Sequence, residues 1–334
     1  MEKKSLWMVR AGKNAAYADD FVEQSFVGIG FADAGEVVTP IDKRKLEERI
    51  AASNQNYSSG KAGNVASQVK RFYEELTIGD SVMTYDASQR LYFLGEIQTD
   101  VNQREHVLGR SRKVAWTKQV SRDLLSPETR NTLGSILTLF LVNDAAANEV
   151  WEKSVPIGQE ADIHDDASVA ATGQIDQSVD DIESQAHELI DDRIASLDWE
   201  QLQELVAEIL RAMGFRAEIS DRGPDRGVDV IASPDGLGLR EPRVFVEVKH
   251  RRGTRVSADL IRAFIGGRQP GDKCLYVSTG GYTKDARYEA ERSSIPLTLI
   301  DLPKLRSLVL EHYDSFSPEG LALIPLKRIH WPIG

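Results

Sequence analysis

Short apolar runs separated by Gly, Asp and Asn dominate the first part of the chain, to about residue 150. Runs of this kind are typical of strands joined by turns. The predicted strands are Ser5–Val9, Val27–Phe31, Ser81–Tyr85, Leu91–Ile97, Lys113–Trp116 and Ile136–Leu141, and the predicted helices are Asp42–Ala52 and Val65–Leu76. The pattern predicts an α+β domain built on a small, partly closed barrel or strongly curved sheet. Since Tyr92 and Phe93 point to opposite faces of their strand, we expect only one of them in the core.

A different period begins near residue 200. Apolar residues recur there at the three- and four-residue steps of a core-facing helix: Leu202, Leu205, Val206, Ile209, Leu210 and Met213. The same projection places Glu204 and Glu208 opposite this stripe, where we expect solvent-exposed side chains. Gln203 lies at the edge of the stripe, from which a side chain can reach a site beside a sheet.

Strands and helices alternate after this helix. The predicted strands are Arg216–Ser220, one that ends at Asp229, one that contains Glu247, then Lys273–Ser278 and Pro296–Ile300, and the predicted helices start at the caps Ser257 and Thr283 and near Leu305. This order predicts an α/β domain with a mixed central sheet flanked by helices.

Charge separates the two regions. The whole chain carries a net charge of −11, but residues 151–200 alone carry −12. The absence of aromatic residues over 160–192 predicts a flexible linker to about Ser178, followed by a helix over Val179–Ile194. We predict a first domain at 1–150, an acidic linker and lead-in helix at 151–192, a second domain at 193–315 and a C-terminal tail at 316–334. The linker serves as a spacer or, alternatively, its acids compete with the substrate for a basic surface.

Three charged residues of the second domain are the main candidates for chemistry. Glu247 and Lys249 are two residues apart, so both leave the same face of a strand, and Asp229 lies on the strand before. Charges in so apolar a strand are retained for pairing or for metal binding. Carboxylate oxygens suit Mg²⁺, for which Mn²⁺ can substitute, and leave room for a phosphate oxygen. We therefore predict a phosphodiesterase in which Asp229 and Glu247 bind the metal and Lys249 orients the attacking water.

A local excess of basic residues favours a polyanionic substrate. Between Arg240 and Lys273 the chain has nine Lys and Arg residues against four acids, and such clusters typically contact phosphates. The predicted DNA-binding residues are Arg226, His250, Arg251, Arg252 and Arg255.

Residues 197–313 resemble the nuclease domain of Mrr-type restriction endonucleases, a branch of the PD-(D/E)xK superfamily. The matching stretches are Leu205–Phe215, Asp225–Asp229, Val246–Lys249, Tyr276–Thr279 and Tyr282–Ala286. The resemblance implies that Asp229, Glu247 and Lys249 are catalytic. One position departs from the family, which carries an acid on its first helix where this chain has Gln203. We keep Gln203 as a catalytic candidate, because an amide can order a water.

The first domain resembles the N-terminal module of some Mrr-like endonucleases, which is similar to the PUA and EVE reader folds. The likeness is carried by Trp7–Gly12, Val27–Phe31 and Leu125–Asn131. It implies recognition of a base, and a base flipped out of the duplex is held between aromatic rings. The candidates for base recognition are Trp7, Tyr85 and Trp116.

Composition sets the remaining limits. The chain has one cysteine, Cys274, which excludes a disulfide framework within it and predicts a reducing, cytoplasmic setting. We expect no association with membranes and no ATP-driven chemistry, since the sequence has neither an apolar span of sufficient length nor a P-loop.

Together these features predict a type IV-like restriction endonuclease that cuts double-stranded DNA carrying modified bases. Cutting both strands requires two active sites, so we expect a homodimer or pairing of two chains induced by DNA. Two alternatives stay open. One is an antiphage effector whose nuclease is switched on by a signalling nucleotide bound to the first domain, and the other is a non-cleaving DNA-binding protein with a nuclease fold.

Overall fold

A computed structural model describes residues 5–53, 57, 59–103, 106–135, 137–159, 179–220, 228–250 and 253–329. The chain divides into two compact units, residues 1–175 and 176–334. Arg226, Arg251 and Arg252 of the predicted DNA contacts, and residues 160–178 of the predicted linker, lie outside the described residues. Within the described ranges, no helix is both long and apolar enough to cross a membrane.

A curled, half-barrel sheet forms the centre of the first unit. Its strands are β1 (Leu6–Val9), β2 (Phe26–Ile29), β3 (Ser81–Asp86), β4 (Leu91–Ile97), β5 (Asn102–Gln103), β6 (Arg110–Ser121), β7 (Leu139–Leu141) and β8 (Val155–Pro156). They follow the order β2-β6-β4-β3-β1-β7, with β5 and β8 also paired to β6. The helices are α1 (Ala18–Glu23), α2 (Lys43–Ser53), α3 (Ser59–Lys70), α4 (Pro127–Leu133) and α5 (Asp144–Lys153). The predicted α+β class is confirmed.

Both faces of this sheet are buried, each by its own apolar cluster. Along β1, Trp7 and Val9 pack into one cluster with α1, α2 and α3, while Leu6 packs into the other with α4 and α5. Tyr92 and Phe93 on β4 are accordingly 1% and 5% exposed. The expectation that only one of these two aromatic residues is buried is wrong, because helices cover the sheet on both sides.

The second unit contains the predicted mixed sheet flanked by helices. Its strands are β9 (Arg216–Ile219), β10 (Val230–Ser233), β11 (Val244–Lys249), β12 (Lys273–Ser278) and β13 (Leu297–Asp301), and its helices are α6 (Val179–Ala195), α7 (Trp199–Ala212), α8 (Ala258–Ile265), α9 (Lys284–Glu291), α10 (Leu302–His312) and α11 (Pro318–Leu323). The order is β13-β12-β11-β10-β9, with β9 to β11 antiparallel and β11 to β13 parallel. One apolar cluster joins the sheet to α6, α7, α10 and α11, and another joins it to α8 and α9.

Helix α7 begins and ends where the sequence favours it. Asp198 and Gln201 form a capping box at its start, and Gly214 follows its last turn with a φ of 94°. The predicted stripe is buried from Leu202 to Leu210. Met213 is 46% exposed, contrary to prediction, because it is the C-cap residue and stands beyond the part of the helix that packs on the sheet.

Glu208 on α7 is buried, contrary to the expectation of a solvent-exposed side chain. It is 3% exposed, because α11 packs against α7 and covers it. Its Oε1 accepts a hydrogen bond from the backbone N–H of Ser317, the N-cap residue of α11. Arg211 lies 3.4 Å from the other oxygen. Glu208 therefore attaches the C-terminal helix to the second unit.

We expect Gly320→Ala to destabilise this attachment. A Cβ at residue 320 would lie 2.4 Å from Cγ and 2.8 Å from Cδ of Glu208, a side chain that is buried and held by Ser317. Overpacking of this kind costs about 1–3 kcal/mol of unfolding free energy. Urea denaturation measures the loss. Gly30→Ala is the control, since its Cβ would have its nearest contact at 3.6 Å, and equal stabilities for the two variants would contradict the expectation.

Candidate active site

Asp229, Glu247 and Lys249 come together at one end of the second sheet. Asp229 stands directly before β10, at the start of that strand and not at its end as predicted, and its backbone N–H donates to the Val246 carbonyl at 2.8 Å. Because side chains alternate along β11, Val246 and Val248 are fully buried while Glu247 and Lys249 leave the opposite face. Strand pairing thus joins residues that are well separated in sequence.

Gln203 and the backbone of Val248 both donate hydrogen bonds to the carboxylate of Asp229. The backbone N–H of Val248 donates to Oδ2 at 2.6 Å, and the side-chain amide of Gln203 donates to Oδ1 at 2.7 Å. Gln203 reaches the site from α7 and is 3% exposed. The amide of Gln203 is therefore in direct contact with the first carboxylate of the site.

The second carboxylate, Glu247, faces the lysine. Lys249 Nζ lies 2.5 Å from Glu247 Oε1. Burial raises the pKa of the Glu247 carboxyl above its ordinary value, the Lys249 ammonium lowers it, and the Asp229 carboxylate raises it again. The two acids are thus close enough to repel each other, and the lysine offsets part of that repulsion.

The residues present fit a hard divalent cation. A cation would relieve the repulsion between Asp229 and Glu247, and Mg²⁺ is held by one or two carboxylates together with water and phosphate oxygens. Within the described residues, no group of three or more His, Cys, Asp or Glu side chains is placed to bind a metal. The donor set therefore suits an ion that takes its remaining oxygens from water and substrate.

Two of the predicted DNA-binding residues lie in the described part of the chain. His250 follows Lys249, and its Nδ1 lies 3.3 Å from Thr279 Oγ1 at the end of β12. Arg255 is half-buried in the segment before α8. His250 is thus adjacent to the site, at the same end of the sheet.

Ion pairs neutralise part of the basic excess counted in the sequence. Arg243 pairs with Asp272 at 3.0 Å, and Arg262 pairs with Glu289 at 2.8 Å. A guanidinium that is paired within the protein attracts a phosphate less strongly than one without such a partner. The number of positive charges offered to DNA is therefore smaller than the composition suggests.

Sequence reasoning counted Arg268 among nine basic residues but did not place it near the carboxylates. Arg268 follows α8, and its guanidinium carbon lies 5.0 Å from the ring centre of Phe245 and 4.9 Å from that of Phe264. Burial raises the pKa of Glu247, and the positive charge of Arg268 lowers that pKa. Phe245 precedes Glu247 by two residues on the same face of β11, and this aromatic position is the sequence signal for the stacked arginine.

The three aromatic residues predicted to recognise a base do not share one surface. Trp7 packs in the cluster on one face of the first sheet, whereas Tyr85 packs on the other face and stacks on Tyr92 at 4.6 Å. Trp116 lies on the side of Trp7, and its ring N–H donates to the Phe21 carbonyl at 2.8 Å. Of the three, Trp116 alone is partly exposed.

Comparison with known proteins separates the same two regions. Residues 194–309 match the family model Mrr_cat, described as a restriction endonuclease. Residues 7–139 match a domain of unknown function, DUF8426. An uncharacterized protein of Sinorhizobium fredii, y4cE, is 29% identical over 100 residues, which cover 28% of this chain and 25% of that relative. The chain thus spans about a quarter of the length of this curated relative.

Two solved structures are similar over most of the chain. One is the MspJI restriction endonuclease in complex with a 27-mer oligonucleotide, with 14% identity, a TM-score of 0.33 and coverage of 80% of this chain and 70% of the other. The second is AspBHI, a DNA modification-dependent restriction endonuclease, with 12% identity, a TM-score of 0.33 and coverage of 80% and 74%.

Proposed function

We propose that this chain is a metal-dependent DNA endonuclease that hydrolyses phosphodiester bonds, a proposal supported by the match of residues 194–309 to the restriction endonuclease model Mrr_cat. One observation carries the proposal: inside that domain, Asp229 and Glu247 lie close together and Lys249 contacts the second of them. Two carboxylates and a lysine at one sheet end are the groups that metal-assisted hydrolysis of a phosphodiester requires.

Each residue has a distinct role in this proposal. Asp229 and Glu247 hold Mg²⁺ or Mn²⁺, which when bound supplies positive charge against the phosphate and makes water more acidic. Lys249 exchanges its contact with Glu247 for one with the substrate. There it orients the attacking water and offsets charge on the phosphate. Val248 and Gln203 keep Asp229 in place through their hydrogen bonds.

The first unit is proposed to select the DNA, most simply through a modified base. It has its own sheet and cores, so it can bind independently of the nuclease. Trp116, with its partly exposed ring, is the candidate for stacking on a base. We propose a homodimer for the same enzyme, since each strand of a duplex needs a site, and the cytoplasm as the place where it acts against invading DNA.

Matched plasmids that differ only in cytosine methylation test this proposal. With Mg²⁺, we expect wild type to linearise the methylated plasmid and Asp229→Asn to leave both plasmids intact. Cleavage of neither plasmid until a small nucleotide is added would favour the antiphage effector. Binding without cleavage under all these conditions would contradict the proposal that the chain is an enzyme. Nicked circles as the only product would contradict the proposal that it acts as a homodimer.

A further inference from the structure

Gln203 contributes one of two protein hydrogen bonds that the carboxylate of Asp229 accepts. It is 3% exposed, and its side-chain N–H donates to Asp229 Oδ1 at 2.7 Å. The backbone N–H of Val248 donates to Oδ2 at 2.6 Å. Both oxygens of Asp229 therefore accept hydrogen bonds from the protein itself.

The second acid is compensated in a comparable way. Lys249 Nζ lies 2.5 Å from Glu247 Oε1, so an ammonium group faces this carboxylate. Donors and opposite charges stabilise ionised carboxylates that would otherwise repel one another. Protein donors therefore hold Asp229, and an ammonium group faces Glu247.

A glutamate at residue 203 would reverse this arrangement. It has the length of glutamine, but it would set a third carboxylate against Asp229 Oδ1 where a donor now stands. In a buried position this contact is repulsive unless a cation or a proton lies between the two groups. Added carboxylate charge also raises the affinity of a site for divalent cations. Gln or Glu at residue 203 therefore determines two properties of the DNA-free protein: its affinity for the metal, and how much metal binding adds to its stability.

We propose that Gln203 is a positioning residue that takes the place of a cation, holding Asp229 in the DNA-free protein and keeping the affinity for Mg²⁺ low until a DNA phosphate supplies further oxygens. The inference rests on the proposed function, because it takes Asp229 and Glu247 as the metal ligands. Held by the carboxylates of Asp229 and Glu247, Mg²⁺ would take its remaining oxygens from water and substrate phosphate. Binding of metal and binding of DNA are then coupled.

Gln203→Glu in the full chain, without DNA, tests the inference. Thermal unfolding is measured in EDTA and with increasing Mg²⁺. We expect the wild type to melt almost independently of Mg²⁺, and Gln203→Glu to melt at a lower temperature in EDTA and to regain stability with the metal. By titration calorimetry, the variant should bind Mg²⁺ about tenfold more tightly than wild type, or more, because of the added ligand charge.

Gln201→Glu is the matched control, since it makes the same change of charge on the same helix. Gln201 is exposed, and its side chain accepts a hydrogen bond from the Asp198 N–H at 3.0 Å, which a glutamate accepts equally well. This variant should melt as wild type does at every Mg²⁺ concentration. Gln203→Met keeps the test decisive if Gln203→Glu does not fold. Methionine removes only the donor to Asp229, so the melting temperature of this variant should rise more with Mg²⁺ than that of wild type does.

Two results would overturn the inference: a Gln203→Glu variant that melts as wild type with and without Mg²⁺, or a wild type that binds Mg²⁺ without DNA as tightly as the variant does. Failure of the proposed function is distinguishable. If wild type cuts DNA but the variant shows no metal-linked stability, the role of Gln203 is rejected and the nuclease stands. If the variant shows that linkage and the chain never cuts DNA, the nuclease is rejected and the role of Gln203 stands.

Discussion

Lys249→Gln should lower the rate of DNA cleavage by roughly 10²–10³-fold, the usual cost of removing one group that stabilises charge in the transition state. Lys249 is in direct contact with a carboxylate of the site, since its Nζ lies 2.5 Å from Glu247 Oε1. Glutamine has a donor for that carboxylate, so the local structure is kept, but it carries no charge to set against the phosphate. The measurement is the single-turnover rate with enzyme in excess over DNA and a fixed Mg²⁺ concentration.

Lys304→Gln provides the control for this prediction. Lys304 is exposed in the first turn of α10, and the same change there should leave the rate at the wild-type value. DNA affinity should fall only slightly for Lys249→Gln, because most phosphate contacts remain. If Lys249→Gln, with all DNA bound, cleaves at the wild-type rate, Lys249 has no role in the chemical step.

Arg306→Leu should lower the unfolding free energy of the second unit by about 3–5 kcal/mol. Arg306 on α10 is 5% exposed and donates to Oδ2 of Asp191 on α6, which is 4% exposed. Leucine removes the cation that compensates the buried charge of Asp191. The folded state is then destabilised, because it buries a carboxylate without this opposite charge. Urea denaturation, with hydrogen exchange read at α6 and α10, measures the effect.

The double variant Asp191→Leu with Arg306→Leu separates charge from packing. Replacement of both partners by apolar side chains is often neutral or stabilising, so the double variant should recover much of the loss. Equal destabilisation in the single and double variants would mean that packing of the arginine stem, and not its charge, holds the two helices together.

Local signals account for much of the fold that the sequence predicts. Thr283 caps α9 by accepting a hydrogen bond from the Ala286 N–H, as expected from its position before a helical pattern. The strand Lys273–Ser278 has the predicted bounds, since an apolar run between turns is a local feature. Ser257 stands at the N-cap of α8 but makes no capping hydrogen bond with its side chain, so a cap residue in sequence fixes a boundary more reliably than a contact.

Features that depend on distant segments escape the sequence. The periodicity of α7 places Glu208 away from the core, and only the arrival of α11, more than a hundred residues later, buries it. Tyr92 and Phe93 are both buried, although alternation along one strand predicts that only one of its faces lies in the core. The pattern within one helix or strand predicts which of its residues share a face. Whether that face is buried depends on other elements that pack against it.

The candidate site divides in the same way. Spacing on β11 is enough to put Glu247 and Lys249 on one face, and the sequence predicts that pair directly. The backbone donor of Val248 to Asp229 cannot be predicted from residue types, because any residue other than proline supplies such an N–H. The stacking of Arg268 on Phe245 depends on where α8 ends, which only the fold decides.

The most direct test of the central claim is the cleavage rate of a methylated plasmid as Mg²⁺ is titrated, for wild type and for Asp229→Asn. Asparagine keeps the size of Asp229 and removes the charge proposed to bind the metal. We predict that wild type cuts only when Mg²⁺ or Mn²⁺ is present, that EDTA stops it, and that Asp229→Asn binds the plasmid without cutting it at any Mg²⁺ concentration. Cleavage by Asp229→Asn at the wild-type rate, or equal cleavage by wild type in EDTA, would contradict the claim that Asp229 and Glu247 form a metal-dependent nuclease site.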